Sequence, residues 1–252
     1  MMSNMRLNRF ISMSGAASRR KGELIIRDGR ITINGLIVTD PACSVDPDHD
    51  TVTLDGNTLT CNHERQYFVL NKPIGVIVTK KDTHGRTTVM NLLGKDAAGV
   101  FPVGRLDADT SGVLLLTDDG GLAYKLSHPS YQVEKIYRAE VYGKVTAEDV
   151  AQLRKGMDLD DGPAAPAFMT ILKKGQEVSL VDVVMHQGRK RQVRRMLAKL
   201  GHPVRVLERI SFGGITTKNL HMGSYRQLTE SEVNILREKT RIKQEKITHE
   251  RT

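Results

Sequence analysis

The chain has 252 residues, a length that predicts two compact units or one unit with an appended module. Apolar residues at 39% and charged residues at 27% exclude a wholly disordered chain, and 38 Lys and Arg against 29 Asp and Glu leave a net charge of +9, which points to nucleic acid as a partner. Five Phe, six Tyr and no Trp are too few rings for a protein that holds single strands mainly by base stacking, so phosphate contacts should dominate. No apolar run is longer than Val113 to Leu116, far short of the roughly 18 to 20 residues that cross a bilayer. No apolar stretch of signal-peptide length follows the first charges at Arg6 and Arg9, so the expected location is the cytoplasm, with no membrane association. Cys43 and Cys61 form no Cys-x-x-Cys pair, which argues against a disulfide framework or structural zinc.

From Met5 to Arg30 the positive residues Arg6, Arg9, Arg19, Arg20, Lys21, Arg27 and Arg30 face only Glu23 and Asp28. Leu7, Phe10 and Ile11 have the spacing of one short helix, and Leu24 and Ile25 give a second its apolar stripe, with Ser18 placed to cap its start and Gly29 to stop it. Ile31 to Ile33 then alternates, Asn34-Gly35 signals a tight hairpin, Ile37-Val38 returns, and Val52 to Leu54 precedes a second turn at Asp55-Gly56. The result is a helix-helix-hairpin module over residues 1–62. An arbitrary charge run is usually a solvated face. Here Ala17-Ser18-Arg19-Arg20-Lys21, followed by Ile26-x-Asp28-Gly29-Arg30-Ile31-x-Ile33-Asn34-Gly35, resembles the small RNA-binding module of the S-four type, first described in a small-subunit ribosomal protein. The resemblance implies that Arg19, Arg20 and Lys21 meet RNA phosphates at a helix N-terminus.

The polar stretch Asn62 to Gln66 is the expected linker, and a larger unit should span residues 66–236, followed by a basic tail at 237–252. Strands are predicted at Tyr67–Leu70, Val76–Val78, Val113–Leu116, Ile136–Tyr142, Phe168–Leu172, Val178–Met185 and Val204–Leu207. Helices are predicted at Gly120–Leu126, Ala147–Lys155, Arg191–Leu200 and from Glu230 onward. Runs of strands with scattered helices predict an α+β domain built on a mainly antiparallel sheet. No Gly-rich phosphate loop stands between a strand and a helix, and no internal repeat is present.

The segment Gly104-Arg105-Leu106-Asp107-Ala108-Asp109-Thr110-Ser111-Gly112 places carboxylates in a Gly-bounded loop beside an apolar strand. Its residues alone leave three readings open. Asp107 and Asp109, with Asp118 and Asp119, would suit Mg²⁺ in a nuclease, although Arg105 speaks against it. Asp107 and Asp109 would also serve as the acid and base of a glycoside hydrolase, were their separation right. The third reading is a single carboxylate nucleophile, kept ionised by a guanidinium and acting on a base extruded from RNA.

Gly104-Arg105-Leu106-Asp107-x-x-Thr110-x-Gly112-x-Leu114-Leu115-Leu116-Thr117-x-Asp119-Gly120 resembles the signature of the ribosomal RNA pseudouridine synthases of the RsuA family, with Val113 where Leu is more usual. Further blocks follow the same order: Asn71-Lys72-Pro73-x-Gly75, Gly85-Arg86-x-Thr88-Val89, His128-Pro129, Glu134-Lys135-x-Tyr137 and Gly188-Arg189-x-Arg191-Gln192-Val193-Arg194-Arg195-Met196. The resemblance covers about residues 5–235 and implies an isomerisation of uridine to pseudouridine with no cofactor or metal. Carried over by motif, Asp107 is the nucleophile, Arg194 the basic residue that pairs with it, and Tyr137 the tyrosine that stacks on the flipped base and helps remove its C5 proton. Arg105 resembles the arginine that holds RNA open around that base. Arg189, Lys190, Arg191 and Arg195, with no acid between His186 and Met196, suit the flanking phosphates. Arg19-Arg20-Lys21-x-Glu23-x-Ile25-Ile26 and Asp46-Pro47-Asp48 look more like the large-subunit type B branch than the small-subunit one. The implied partner is ribosomal RNA, free or in assembly intermediates, and the protein is expected to be a monomer. His63, His84, His128, His186, His202, His221 and His249 have no ligand spacing and read as loop or core residues.

Overall fold

A computed structural model describes residues 4–60, 65–79, 82–94 and 99–249. Cys61, His63 and most of the expected linker at 62–66 lie outside the described residues. The chain divides into two compact units, with the division between Arg65 and Gln66.

The first unit runs β1 (Met5–Arg6), α1 (Leu7–Met13), α2 (Arg19–Arg27), β2 (Ile31–Ile33), β3 (Leu36–Val38), β4 (Ser44–Val45), β5 (Val52–Leu54) and β6 (Asn57–Thr58). Leu7, Phe10 and Ile11 bury one face of α1 against Ile25 and Ile26 of α2. Leu24 is exposed, so the apolar stripe of α2 lies one position later than the sequence reading placed it. The Ser18 hydroxyl accepts the Lys21 amide, satisfying one of the free N–H groups at the helix start, and Gly29 leaves the helix at a φ of +69°. Asn34 and Gly35 both take positive φ, as a type I′ turn requires, and so set the antiparallel pairing of Ile31 with Val38.

The second unit contains β7 (Tyr67–Lys72), α3 (Val89–Leu92), β8 (Phe101–Pro102), β9 (Ser111–Thr117), α4 (Gly120–Ser127), β10 (Lys135–Tyr142), α5 (Ala147–Lys155), β11 (Met157–Leu159), β12 (Gly162–Ala164), β13 (Phe168–Lys173), β14 (Val178–Met185), α6 (Gln192–Lys199), β15 (Val204–Phe212), β16 (Tyr225–Gln227) and α7 (Glu230–His249). The main sheet has the order β13-β14-β10-β15-β9-β7-β16, with β8 also paired to β9. Every pairing is antiparallel except β9 with β15. The domain is α+β with a mainly antiparallel sheet. Val76–Val78 does not form the predicted strand; Ile77 makes only an isolated bridge to Thr88, because the segment turns to cover the sheet after Pro73. The expected tail at 237–252 begins instead as a continuation of α7, which carries Leu236 and Thr240 into the protein interior.

All seven residues of β9 are buried, and its alternate side chains feed two cores. Leu114 and Leu116 join Phe68, Leu70 and the strands leading to α6, while Val113 and Leu115 pack with α4, Phe212 and Leu236. Burying each of these aliphatic side chains contributes about 1.5–3 kcal/mol, so the strand is held from both faces. The parallel pair itself is short: Ser111 opposes Glu208, and Gly112 opposes Arg209. Gly112 has a φ of +99°, and a Cβ there would lie 2.3 Å from the Arg209 carbonyl oxygen. The motif glycine therefore serves a backbone contact. Gly112→Ala should cost about 3 kcal/mol or more from overpacking and backbone strain together. Chemical denaturation checks this, and a variant within about 1 kcal/mol of wild type would contradict it.

Candidate active site

A cleft of about 220 Å³ opens where the loop before β9 meets β10, β15 and the loop before α6. Arg105, Asp107, Lys135, Tyr137, Arg189, Lys190, Arg191 and Arg209 lie in its walls. The expected site residues Asp107, Tyr137, Arg105, Arg189 and Arg191 thus share one cavity, although they come from three separate segments.

The acidic loop is fixed from beneath. Lys72, at the end of β7, is fully buried, and its Nζ donates to the carbonyl oxygens of Pro73 and Thr110, each at 2.9 Å. The Gly75 amide donates to the Ala108 carbonyl at 2.8 Å, and the Thr110 amide to that of Asp107 at 3.1 Å. Burial pulls the Lys72 ammonium down to about 8, while Asp109 and Asp107 work in the opposite direction. The loop therefore rests on one desolvated lysine, held by backbone dipoles and by the field of the two carboxylates. Asp107 is left partly exposed at the cleft.

The guanidinium pairing differs from the sequence reading. Arg194 does not pair directly with Asp107; its Nε lies 3.4 Å from the Asp109 carboxylate, and its Nη2 donates to the Asp109 carbonyl at 2.7 Å. Arg191 joins it, donating to Asp109 Oδ1 at 3.0 Å and placing Nη2 2.9 Å from Oδ2. Partial burial opposes ionisation of Asp109, but the Arg191 hydrogen bond and the charges of Arg194 and Arg191 outweigh it and hold this carboxyl below its usual range. The physical reason is geometric: the loop turns between the two aspartates, so residues two apart do not face the same helix. Asp107 reaches Arg194 only as a longer-range charge, and burial pulls that guanidinium below its ordinary value.

Arg189 and Arg195 are also less available than their sequence block suggests. Arg195 makes a two-pronged contact with Asp161, at 2.7 and 3.1 Å. Arg189 donates to the carbonyls of Asp161, Gly162 and Pro163 and lies 3.3 Å from the Asp161 carboxylate. Lys199 Nζ donates to the Asp158 carbonyl at 2.6 Å. These contacts clamp the β11–β12 hairpin to α6, so the acid missing from the local sequence is supplied from about thirty residues upstream. Arg105 and Lys190 are exposed and carry no ion pair among the described residues. Asp118 accepts the Gln66 amide and Asp119 caps α4, and among the described residues no cluster of three His, Cys, Asp or Glu could hold a metal. Of the histidines, His202 is a core residue, with Asp149 and the Tyr142 carbonyl each 3.0 Å from a ring nitrogen.

Sequence reasoning missed two cleft residues. Lys135 stood inside a quoted block without a role, and Arg209 stood in no block at all. The signal for Arg209 was a cation on the inward face of a strand, sharing burial with Leu207.

The comparisons with known proteins identify the family. A sequence model of RNA pseudouridylate synthases matches residues 66–199, and one of the S4 domain matches residues 5–51. The chain is 38% identical to an uncharacterized RNA pseudouridine synthase of Aquifex aeolicus, over 92% of this chain and 93% of that protein. It is 40% identical to the ribosomal large subunit pseudouridine synthase B of Bacillus subtilis, over 92% of this chain and 95% of that protein. A solved structure described as a pseudouridylate synthase superposes with a TM-score of 0.67 at 33% identity, covering 92% of this chain and 99% of that one. The chain belongs to the RNA pseudouridylate synthase family and carries an S4 domain ahead of its catalytic unit.

Lys72 makes this site sensitive to alkaline conditions in a defined direction. Its folded value near 8 lies below the unfolded value of 10.5, so the unfolded chain binds more protons between them and this group's contribution to stability rises with pH across that window. The stability advantage of wild type over Lys72→Met should therefore widen between about pH 8 and 10.5. Parallel denaturation series check this, and a constant difference would place the Lys72 ammonium in a better solvated site.

Proposed function

We propose that the protein converts a specific uridine of large-subunit ribosomal RNA to pseudouridine, with Asp107 as the nucleophile. The observation that carries the reading is the placement of Asp107: a carboxylate on a pinned loop, opposite Tyr137, in a cleft sized for one base and rimmed by cations. The name of the Bacillus subtilis relative supports the large subunit as the source of the RNA.

Breaking a base–ribose bond needs a group that relieves C1′ without competing water, and a duplex or folded RNA must first yield the base. Exposed Arg105 beside Asp107 suits the RNA backbone around the extruded nucleotide, and Lys190 adds a second unpaired cation on the opposite wall. Tyr137, which lines the cleft, offers a ring on which the base can stack, and on this reading its hydroxyl helps the C5 proton leave once the carbon–carbon bond has formed. Arg194 and Arg191 act through Asp109: they hold the turn that carries Asp107 and keep positive charge near it. No step requires an oxidant, a metal or added water.

In the S4 unit, Arg19, Arg20 and Lys21 are exposed around the start of α2, where free backbone N–H groups add to their field, and none makes an ion pair. Arg30, by contrast, is paired with Asp55 and is not free for phosphate. Changing Arg19, Arg20 and Lys21 together to Gln should flatten the log–log salt dependence of RNA binding by roughly 2 to 3 units, at about 0.7 to 0.9 per phosphate contact. An unchanged slope would reduce them to a solubilising face.

Incubating the protein with unmodified large- and small-subunit rRNA, free and in assembling particles, and then mapping pseudouridine tests the function itself. One modified uridine in the large-subunit RNA is expected, with activity intact in EDTA when another cation maintains the RNA fold. Shortened RNA would indicate a nuclease, unchanged RNA held in a complex would indicate a binding factor, and a small-subunit product would reassign the target.

A further inference from the structure

The deepest part of the cleft holds two buried cations with no acid to balance them. Lys135 of β10 is 7% exposed and Arg209 of β15 is 2% exposed, and both line the cavity. Lys135 Nζ donates to the Val133 carbonyl at 2.9 Å, and Arg209 Nε to the Val113 carbonyl at 2.7 Å. Both rest on the same ring, at 4.9 and 4.8 Å from the centre of Phe212. Neither forms an ion pair with a described carboxylate, and Arg209 Nη2 is buried without any hydrogen-bond partner. Two adjacent cations that repel each other, with a donor left unsatisfied, are costly to keep out of water unless an anion or a strong acceptor completes them.

On the reading of the cleft given above, we propose that Lys135 and Arg209 receive the carbonyl oxygens of the extruded uracil and stabilise the negative charge that the base acquires during isomerisation. Register places them there: Tyr137, the stacking residue, opposes Arg209 across the strand pair and stands two positions from Lys135 on the same strand. The chemistry needs them on every route. When the C1′–N1 bond breaks, its electron pair leaves with the base and spreads onto the carbonyl oxygens, while C1′ either takes an Asp107 oxygen or is relieved by loss of the C2′ proton to Asp107. If Asp107 instead adds to C6, the displaced pair again reaches a carbonyl oxygen, and the C1′–N1 bond then breaks with its pair left on N1 as C5 takes C1′. In each case the base turns, C5 bonds to C1′, the bond made to Asp107 breaks or its proton is returned to C2′, and the C5 proton leaves as N1 takes one up. The anion always resides on uracil oxygens, where fixed donors in a desolvated pocket are most effective. The phosphates, by contrast, meet the exposed cations at the rim.

The geometry has a kinetic signature. Burial, and then repulsion from Arg209, bring the Lys135 ammonium down to about 8. The other charged or titratable groups around the cleft are Tyr137 on its own strand, Arg105 and Asp107 from the loop before β9, and Arg189, Lys190 and Arg191 from the loop before α6. Isomerisation should therefore slow as pH rises through about 8.

The test uses the full chain and an unmodified rRNA transcript under single-turnover conditions, with RNA affinity measured in parallel. Lys135→Met should slow pseudouridine formation by about a hundredfold or more, with Kd and its salt slope unchanged, and Lys135→Arg should restore much of the rate and make the decline near pH 8, to which Lys72 also contributes, shallower than in wild type. A Lys135→Met protein of wild-type rate would overturn the inference. So would a loss that lies in Kd with a shallower salt slope, which would make this a phosphate site. Should the Met variant fail to fold, the Lys135→Arg profile decides alone, and a decline near pH 8 as steep as that of wild type overturns the assignment, since Lys72 contributes equally to both. If wild type itself forms no pseudouridine, the underlying function fails as well, an outcome distinct from an active wild type that is indifferent to Lys135.

Discussion

The active site depends on one close backbone approach, that of Gly112 to Arg209. The main sheet consists of an antiparallel group ending in β15 and another containing β9, and the short parallel pairing of these two strands joins them. Only a residue without a Cβ permits that pairing, because the space is taken by the Arg209 carbonyl. The acidic loop enters β9 two residues after Asp109, so the junction that unites the sheet also sets the position of Asp107. On the other strand the same junction directs Arg209 into the cleft, where its Nε is held by the carbonyl of Val113, the residue after Gly112. A structural requirement and a chemical one thus meet at a single glycine, with Lys72 beneath them holding the loop's carbonyls.

The charge surplus is divided into three populations by what lies opposite each cation. Asp109 takes up Arg191 and Arg194, and Asp161 takes up Arg189 and Arg195, so four guanidiniums of one sequence block serve first to lock the turn and the β11–β12 hairpin. Arg105 and Lys190 remain exposed at the rim, free to meet an RNA backbone. Lys135 and Arg209 are buried and unbalanced at the floor. A polyanion strand approaching such a cleft meets mobile, solvated charge first, and the extruded base meets fixed, desolvated donors last. The two kinds of charge suit different tasks, since solvated cations contribute salt-dependent affinity and desolvated ones contribute to the chemical step.

Much of the fold was legible because its signals are local. The Asn34-Gly35 hairpin, the Ser18 cap and the helices α4, α5 and α6 follow from turn chemistry and periodicity within a few residues, and they lie within a residue or so of their expected limits. Val76–Val78 misled because an apolar triplet satisfies both a strand and a covering segment, and only the sheet edge decides between them. At the site, the ordered motif blocks brought Asp107, Tyr137 and Arg105 to one cavity. The partners of Arg194, Arg189 and Arg195 were illegible, since Asp109 meets α6 through a turn and Asp161 arrives from a distant hairpin. Arg209 was missed because the expected strand stopped at Leu207, two residues short of it, so its place on the same buried face went unread.

The central claim is that the two aspartates of the loop have different tasks: Asp107 reacts and Asp109 holds the turn. Single-turnover rates of Asp107→Asn and Asp109→Asn, each with its RNA affinity, test this most directly. Asp107→Asn should bind RNA as wild type does and form no detectable product. Asp109→Asn should remain active, slowed by about ten- to a hundredfold as the turn and its two guanidiniums lose their anchor. Near-normal turnover by Asp107→Asn, or complete inactivity of a folded Asp109→Asn protein, would contradict the division of roles.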